Sequence, residues 1–421
     1  MTLLASPRAE PTLSVGGDPS NRRGEALRGP FVCMIAYTNY AIDARVRREA
    51  ETLAAQGFRV RCLTTSNGER STRFALNGVE VQELPVRKYR GKSTLAYLGS
   101  YLRFALASAA ACLASMNRNE LDVVHVHNLP DFLVVAGLLP RLRGKKIVLD
   151  VHDSVPETFA TKFGGGGIAW RLLCLEERVS ALLAHTVICV NHPQRDALVA
   201  RGIPHFKTFV SMNMPDPSIF GSSTTSRTRP PAKEALNLVY HGTMAERLGV
   251  DLLIEAVARL RGRIAHLHLY LWGSGDDLEA FRELAAARRV ADCVTFRPEG
   301  YPVSELPCRL EHMDIGLVGN RRSVAGALML PVKLLEYVSL GIPTVVPRLK
   351  TIEHYFTDEM VAYYEPENVA SLADSIYDLY ADLPRRCQQA DRARVFLRDH
   401  GWERQGAELV TMYRELVGNN A

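Results

Sequence analysis

Glu336 stands inside an apolar run, ALMLPVKLLEYVSLGIPTVVP at residues 327–347, with Leu334, Leu335, Val338 and Leu340 around it. A carboxylate buried without a partner costs several kcal/mol, so this position needs either a structural cation or a ligand. Lys333, one turn earlier, could meet an anion at the start of the same helix. Two other stretches gather titratable groups. His127 ends the run VVHVH, with His125 two residues deeper on the same face. The run DVHDSVPE brings His152, Asp153 and Glu157 to the end of the next strand. An imidazole titrating near neutrality and a carboxylate beside it could hold or move the proton of a hydroxyl. Each has a plainer reading: a core histidine, or a carboxylate bonding the backbone.

The elements that must position these groups alternate strand and helix. The runs FVCMIAY, FRVRCLTT, LDVVHVH, KKIVLDVH, TVICVN and KTFVSM are nearly continuously apolar, as strands covered on both faces should be. Asp43 caps a helix whose inner face is Val46, Ala50, Leu53 and Ala54, and Gly57 stops it. A polar stretch, GSSTTSRTRPPAK, then interrupts the rhythm, which restarts with LNLVYHG, VDLLIEAVARL, HLHLYLWG, LEAFRELAAARR, VTFRP, DIGLVG, PVKLLEYVSLG and PTVVP. The expectation is an α/β protein of two Rossmann-like parallel-sheet domains facing a central cleft, since open sheets of this kind bind ligands at the carboxyl ends of their strands. The expected division is a disordered lead at 1–29, a first domain at 30–220, a linker at 221–235, a second domain at 236–398, and a helix at 399–421 packing back toward the first.

The 421 residues suit two domains, and 47% hydrophobic with 23% charged content is that of a soluble globular chain. A net charge of +5 without an RNA-recognition or zinc-finger pattern excludes nucleic acid as the expected partner. The eight cysteines are scattered without C-x-x-C pairs, so neither a disulfide nor a metal site is expected. The lead lacks the apolar core of a signal peptide, and the run at 95–116 carries Arg103 and many Ala and Ser, which argues against a transmembrane helix.

Seven pieces in order carry a resemblance: DARVRREAETLAAQGFRV, DVVHVHNLPDF, KIVLDVHDSVPE, LVYHGTMAERLGVDLLIEA, LYLWGSGDD, DIGLVGN and LPVKLLEYVSLGIPTVV. The chain resembles the GT-B-fold glycosyltransferases of the large family four type, which transfer a sugar from a nucleotide sugar. The resemblance places Glu336 at the second glutamate of an E-x7-E motif, where it implies bonding of the donor's ribose hydroxyls. Pro331, Lys333, Glu336 and Tyr337 match a PxKxxEY form of that motif, and Leu328 stands where the first glutamate would be. Thr243 and Leu248 occupy the places of an Arg and a Lys that hold the donor diphosphate, so neighbouring Arg247 is the expected replacement, through its forked donors. Its plainer reading is a surface ion pair with Glu246 or Asp251. Gly242 would let backbone approach the diphosphate. The first loop reads YTNYAID where a glycine pair is usual, leaving Asn39 and Tyr40 to contact acceptor or sugar.

The resemblance implies a catalytic role near the transferred sugar for His127; Asp153, at the same rim, is the catalytic carboxylate an inverting course would use as general base, and Gly242, Arg247, Lys333, Glu336 and Tyr337 are the expected donor-binding residues. The resemblance implies retention of configuration, a UDP- or GDP-linked co-substrate, and no cofactor or metal. Segment FRPEGYPVSELP would meet the base. GGGG at 164–167 follows no strand and is read as a loop, and GSG at 273–275 as part of the nucleotide domain. Arg87, Lys88, Arg90 and Lys92 precede the apolar 95–116 run, a pattern that fits a lipid-linked acceptor and peripheral contact with the cytoplasmic membrane face. Two further readings remain: a non-catalytic glycosyltransferase-like partner, motivated by Leu328, Thr243 and Leu248, and a sugar-nucleotide epimerase.

Overall fold

The computed structural model describes residues 29–66, 70–89, 91, 93–118, 120–221 and 235–418. The lead, most of the linker, and Arg90 and Lys92 of the basic cluster lie outside the described residues.

The first half runs β1 (Phe31–Ala36), α1 (Ala44–Ala55), β2 (Arg59–Thr65), β3 (Thr72–Leu76), β4 (Val79–Leu84), α2 (Thr94–Asn117), β5 (Val123–His127), α3 (Leu138–Leu142), β6 (Lys146–Val151), α4 (Val155–Phe163), α5 (Ile168–Leu183), β7 (Thr186–Cys189), α6 (His192–Ala200), β8 (Thr208–Val210) and α7 (Pro217–Phe220). Its eight strands order as β3-β4-β2-β1-β5-β6-β7-β8, parallel except for β3. The hairpin β3–β4 was not expected from periodicity. Its signal is Asn77-Gly78, both with positive φ of 49° and 81°, which is the pair a tight hairpin turn demands.

The second half runs β9 (Ala235–His241), α8 (Val250–Leu260), β10 (His266–Trp272), α9 (Leu278–Ala287), β11 (Val294–Arg297), α10 (Leu306–Leu310), β12 (Ile315–Leu317), α11 (Val332–Ser339), β13 (Thr344–Pro347), α12 (Lys350–Tyr355), β14 (Ala362–Tyr364), α13 (Val369–Ala381), α14 (Leu383–His400) and α15 (Trp402–Gly418). Its six strands are parallel in the order β11-β10-β9-β12-β13-β14.

Strand alternation divides the first half's core. Cys33, Ile35, Val124 and Val126 face a layer built from α2, α5 and a 3-10 segment at Asp131–Gly137. Val32, Met34 and Val123 face α1 and α15. The final helix therefore returns to the first domain: Leu409 and Tyr413 are buried, and Trp402 Nε1 donates to Thr52 on α1 at 3.1 Å. Asp43 caps α1 by accepting from the Val46 amide at 3.2 Å, and Gly57 follows its end with φ +89°.

Candidate active site in the cleft between the sheets

Helix α11 is short because Pro331 opens it and Gly341, at φ +64°, closes it. Its apolar residues bury Leu334, Leu335 and Val338, and this orientation drives Glu336 and Lys333 toward the carboxyl end of β9. There Nε2 of His241 lies 3.2 Å from Oε2 of Glu336. Burial holds His241 neutral, down to about 3, with Lys333's charge adding to the effect, so the contact is not an ion pair. His241 Nε2 has no aligned hydrogen-bond partner among the described residues. Burial raises Glu336 to about 7, against the pull of Lys333. Burial lowers Lys333 to about 8, with Glu336 opposing and Arg247 reinforcing the shift.

Lys333 reaches over the Tyr240 ring, with Nζ 4.1 Å from its centroid. A Cβ on Gly242 would sit 3.5 Å and 3.6 Å from the last carbon and nitrogen of Lys333, and Gly242 has φ +121°. The Gly242 amide itself donates to Trp272 carbonyl at 2.9 Å, so this glycine supplies room rather than a donor. Arg247 is exposed and makes no ion pair with a described residue. The plainer pairing with Asp251 is taken by Arg321, whose guanidinium bonds that carboxylate. The loop after β10 is pressed onto the same place. Cβ atoms on Gly273 and Gly275 would fall 2.1 Å from the carbonyl oxygens of Gly242 and Met244, which explains the GSG run.

One expectation on this side needs correction. Tyr337 does not reach the cleft: it is fully buried, its hydroxyl donates to Val239 carbonyl at 3.3 Å, and its ring meets His241 edge-on at 5.2 Å. It positions the end of β9. Of the departures from the family motif, Leu248 is buried in the second domain's core, while Leu328 lines the cleft with Met329 and Leu330.

On the opposite wall, Asp150 at the end of β6 is fully buried and joined to Arg45 of α1 by two bonds of 2.8 Å and 2.7 Å. The same carboxylate meets His127 Nδ1 at 3.1 Å and His152 Nε2 at 2.8 Å. Burial works against its charge, but Arg45 outweighs burial and holds it well below the ordinary carboxylate range. For His152 burial is likewise overcome by Asp150, and its pKa is raised.

His127 is buried at 1% exposure, with Nδ1 engaged and Nε2 unpartnered, whereas His152 borders the cleft. His152 is the more exposed imidazole, with Asp150 behind it, and His127 joins it in lining a smaller cavity of about 160 Å³. Asp153 is exposed on the cleft wall, and its carboxylate bonds no described residue. Glu157, by contrast, is bonded to Ser154 and Arg201. Tyr40 is buried in the core, which takes it out of reach of a sugar, and Asn39, half-buried, accepts through Oδ1 from the Ala41 amide at 2.9 Å.

Below the rim, Glu49, His125, His127 and Asp150 place donor atoms within 4.8 Å of one another, a grouping able to hold a cation. Arg45 already lies 3.1 Å and 2.7 Å from Glu49 and Asp150, balancing their charge from within the fold. His125 is tied from behind by the Tyr413 hydroxyl at 2.6 Å.

A cleft of about 470 Å³ is lined by Asp43, His152, Asp153, Asn191 and Gln194 from the first domain and by residues 328–332 and Leu335 from the second, the latter leading into Lys333 and Glu336 on the same helix. The Asn191 amide spans it to the Leu328 carbonyl at 2.7 Å. Residues 41–212 match the family model of the glycosyl transferase 4-like domain, and residues 235–382 match that of glycosyl transferases group 1. The chain belongs to the GT-B glycosyltransferases of the family four type.

Among the relatives of this glycosyltransferase is the GDP-mannose-dependent alpha-(1-6)-phosphatidylinositol monomannoside mannosyltransferase of Mycolicibacterium smegmatis, 28% identical over 173 residues, 40% of this chain and 45% of that protein. The chain thus matches less than half of that relative's length. One subunit of the phosphatidylinositol N-acetylglucosaminyltransferase of Arabidopsis thaliana is 22% identical over 81% of this chain and 72% of its own. Sucrose-phosphate synthase from Thermosynechococcus elongatus shares the fold, with a TM-score of 0.74 at 16% identity over 93% of this chain and 100% of that one.

Proposed function

We propose that this glycosyltransferase moves a sugar from a UDP- or GDP-linked donor to a glycan or lipid-linked acceptor. The observation that carries the reading is the convergence of Glu336, Lys333, Gly242 and Arg247 at the carboxyl end of β9 beside an interdomain cleft. Glu336 offers carboxylate oxygens to a ribose diol, and Lys333 with Arg247 offers charge to a diphosphate. A diphosphate would also restore full protonation to Lys333, making donor and cation mutually stabilising.

In the reaction the bond between the anomeric carbon and the phosphate oxygen breaks, and the acceptor oxygen bonds that carbon. The acceptor's hydroxyl proton leaves toward the departing phosphate in a retaining course, or toward a carboxylate such as Asp153 in an inverting one. His152, oriented by Asp150, hydrogen-bonds the transferred sugar or acceptor. The GDP-mannose and phosphatidylinositol named for the mycobacterial relative favour a GDP-linked donor and a lipid-linked acceptor. Arg87 and Lys88 beside Arg103 suit the phosphate of such an acceptor, which supports peripheral contact with the cytoplasmic membrane face.

The competing reading, a partner that keeps the fold without transfer, is favoured by buried Leu248 and apolar Leu328 at the places of charged residues. Thermal unfolding against UDP, GDP, dTDP and their sugar forms tests both. Donor at a hundred times its dissociation constant raises stability by about 2.7 kcal/mol. A shift with one base, lost in Glu336→Ala, and sugar release only with acceptor present, supports transfer. Binding without turnover identifies the partner, and turnover without acceptor identifies an epimerase.

A further inference from the structure

The layer that covers one face of the first sheet leaves its outer side apolar. Sixteen of the 22 large apolar side chains exposed among the described residues lie between residues 95 and 182, and only Val303, Val324 and Val395 lie in the second domain. Helix α5 presents Ile168, Leu172, Leu175, Val179 and Leu182 outward, at spacings of four, three, four and three. That spacing is one continuous helical stripe. Helix α2 presents Leu95, Leu98, Leu102 and Leu106, and α3, which packs on α2, presents Leu138, Leu139 and Leu142. Both α2 and α5 pack on the 3-10 segment that leads into α3, so the three helices belong to one layer on the same face of the sheet. Helix α2 is also long and apolar enough to cross a membrane by length and composition, yet its inner side carries Phe104, Ala105 and Cys112 in the core.

The charge on this layer has one sign. Arg103, Arg143, Lys162, Arg171 and Arg178 are exposed. Among the described residues of 94–118, 131–143 and 155–183 no carboxylate is exposed, because Asp131, Glu157 and Glu177 are buried and Glu176 is half-buried. Two copies meeting through this face would oppose cation to cation, whereas an anionic lipid surface complements it.

We propose that α2, α3 and α5 together form a single docking face for an anionic lipid bilayer, with the α5 stripe as its apolar keel. The most exposed residues of this face, Leu95 at 82% and Ile168 at 80%, begin α2 and α5. Helices that return along a parallel sheet begin at the carboxyl ends of its strands. The face therefore sets the acceptor side of the cleft at the lipid surface. This deepens the transfer reading and rests on it only for purpose.

The test is co-sedimentation of the full chain with phosphatidylcholine vesicles, neutral or containing about one-third phosphatidylglycerol, at low and high salt, alongside its solution mass. The expected result is binding to anionic vesicles that weakens with salt. Leu172→Asp with Leu175→Asp should lower partition by about tenfold or more while the melting temperature holds. Arg171→Glu with Arg178→Glu, which leaves the apolar stripe intact, should remove most of the salt-dependent part and decides the matter if the leucine pair destabilises the fold. Binding unchanged in both pairs overturns the proposal. So does no binding to anionic vesicles, or a dimer that the leucine pair dissolves, which would give the face to a second copy. Vesicle binding without a nucleotide shift keeps this face and sinks the donor assignment; a nucleotide shift without vesicle binding does the reverse.

Discussion

Glu336 and His241 face each other at 3.2 Å across the gap between α11 and β9, and neither is charged by the other. Folding raises Glu336 from 4.5 to about 7. A raised carboxyl binds its proton more tightly when folded, so its stabilising contribution is full below about 4.5 and is lost as pH rises through 7. Near pH 8 the buried carboxylate is a burden that only a donor relieves. Glu336→Gln should therefore stabilise the ligand-free protein at pH 8 by on the order of 2 kcal/mol, while abolishing the donor-induced melting shift. Calorimetric melting with and without nucleotide at pH 5 and pH 8 reads both effects, and the gain should vanish at pH 5.

Arg247 lies near enough to Lys333 to add to the lowering of its pKa, and in the proposed site one donor diphosphate meets both. Replacing Arg247 by Ala should weaken donor binding by about tenfold, roughly the worth of one charge-assisted hydrogen bond, without changing stability, because its side chain makes no ion pair with a described residue. Lys333→Met should weaken it at least as much, yet raise ligand-free stability below pH 8, where the buried ammonium is charged. Titration calorimetry of nucleotide into each variant checks this, and an unchanged affinity for Arg247→Ala would remove that residue from the site.

His152 should be the imidazole that matters to turnover. His152→Gln is expected to lower kcat by about a hundredfold with little change in donor affinity. Its pKa is raised in the fold, so its pairing with Asp150 stabilises below 6.5 and is lost as pH climbs through the raised value. The slope of stability against pH just above neutrality should flatten in the variant. An equal or larger loss in His127→Gln with His152→Gln near wild type would return the role to the deeper residue.

Arg45 holds the first domain's polar centre. Arg45→Met removes the partner of a fully buried Asp150 and should cost about 3–5 kcal/mol in urea unfolding. Tyr413→Phe, which unties His125 from the last helix, should cost about 1 kcal/mol. A larger cost for Tyr413→Phe than for Arg45→Met would contradict this ranking.

The sequence alone determined the two-sheet architecture, because buried parallel strands must be continuously apolar and helices must carry a stripe. It also marked Glu336 as a costly burial, since a carboxylate without a partner is expensive inside a fold, and the fold meets that cost by raising its pKa to about 7 rather than by an ion pair. What it could not show was direction. His127 and His152 are equivalent as text, but the register that sets His127 opposite Asp150 leaves His152 nearer the opening. Tyr337 matches a motif yet turns inward, since on this short helix its ring fills the space that Gly316 leaves empty. The pairing of Arg45 with Asp150, 105 residues apart, and of His125 with Tyr413, 288 apart, belongs to tertiary structure alone. Local pattern fixes which side chains are buried, whereas only packing decides which buried groups meet.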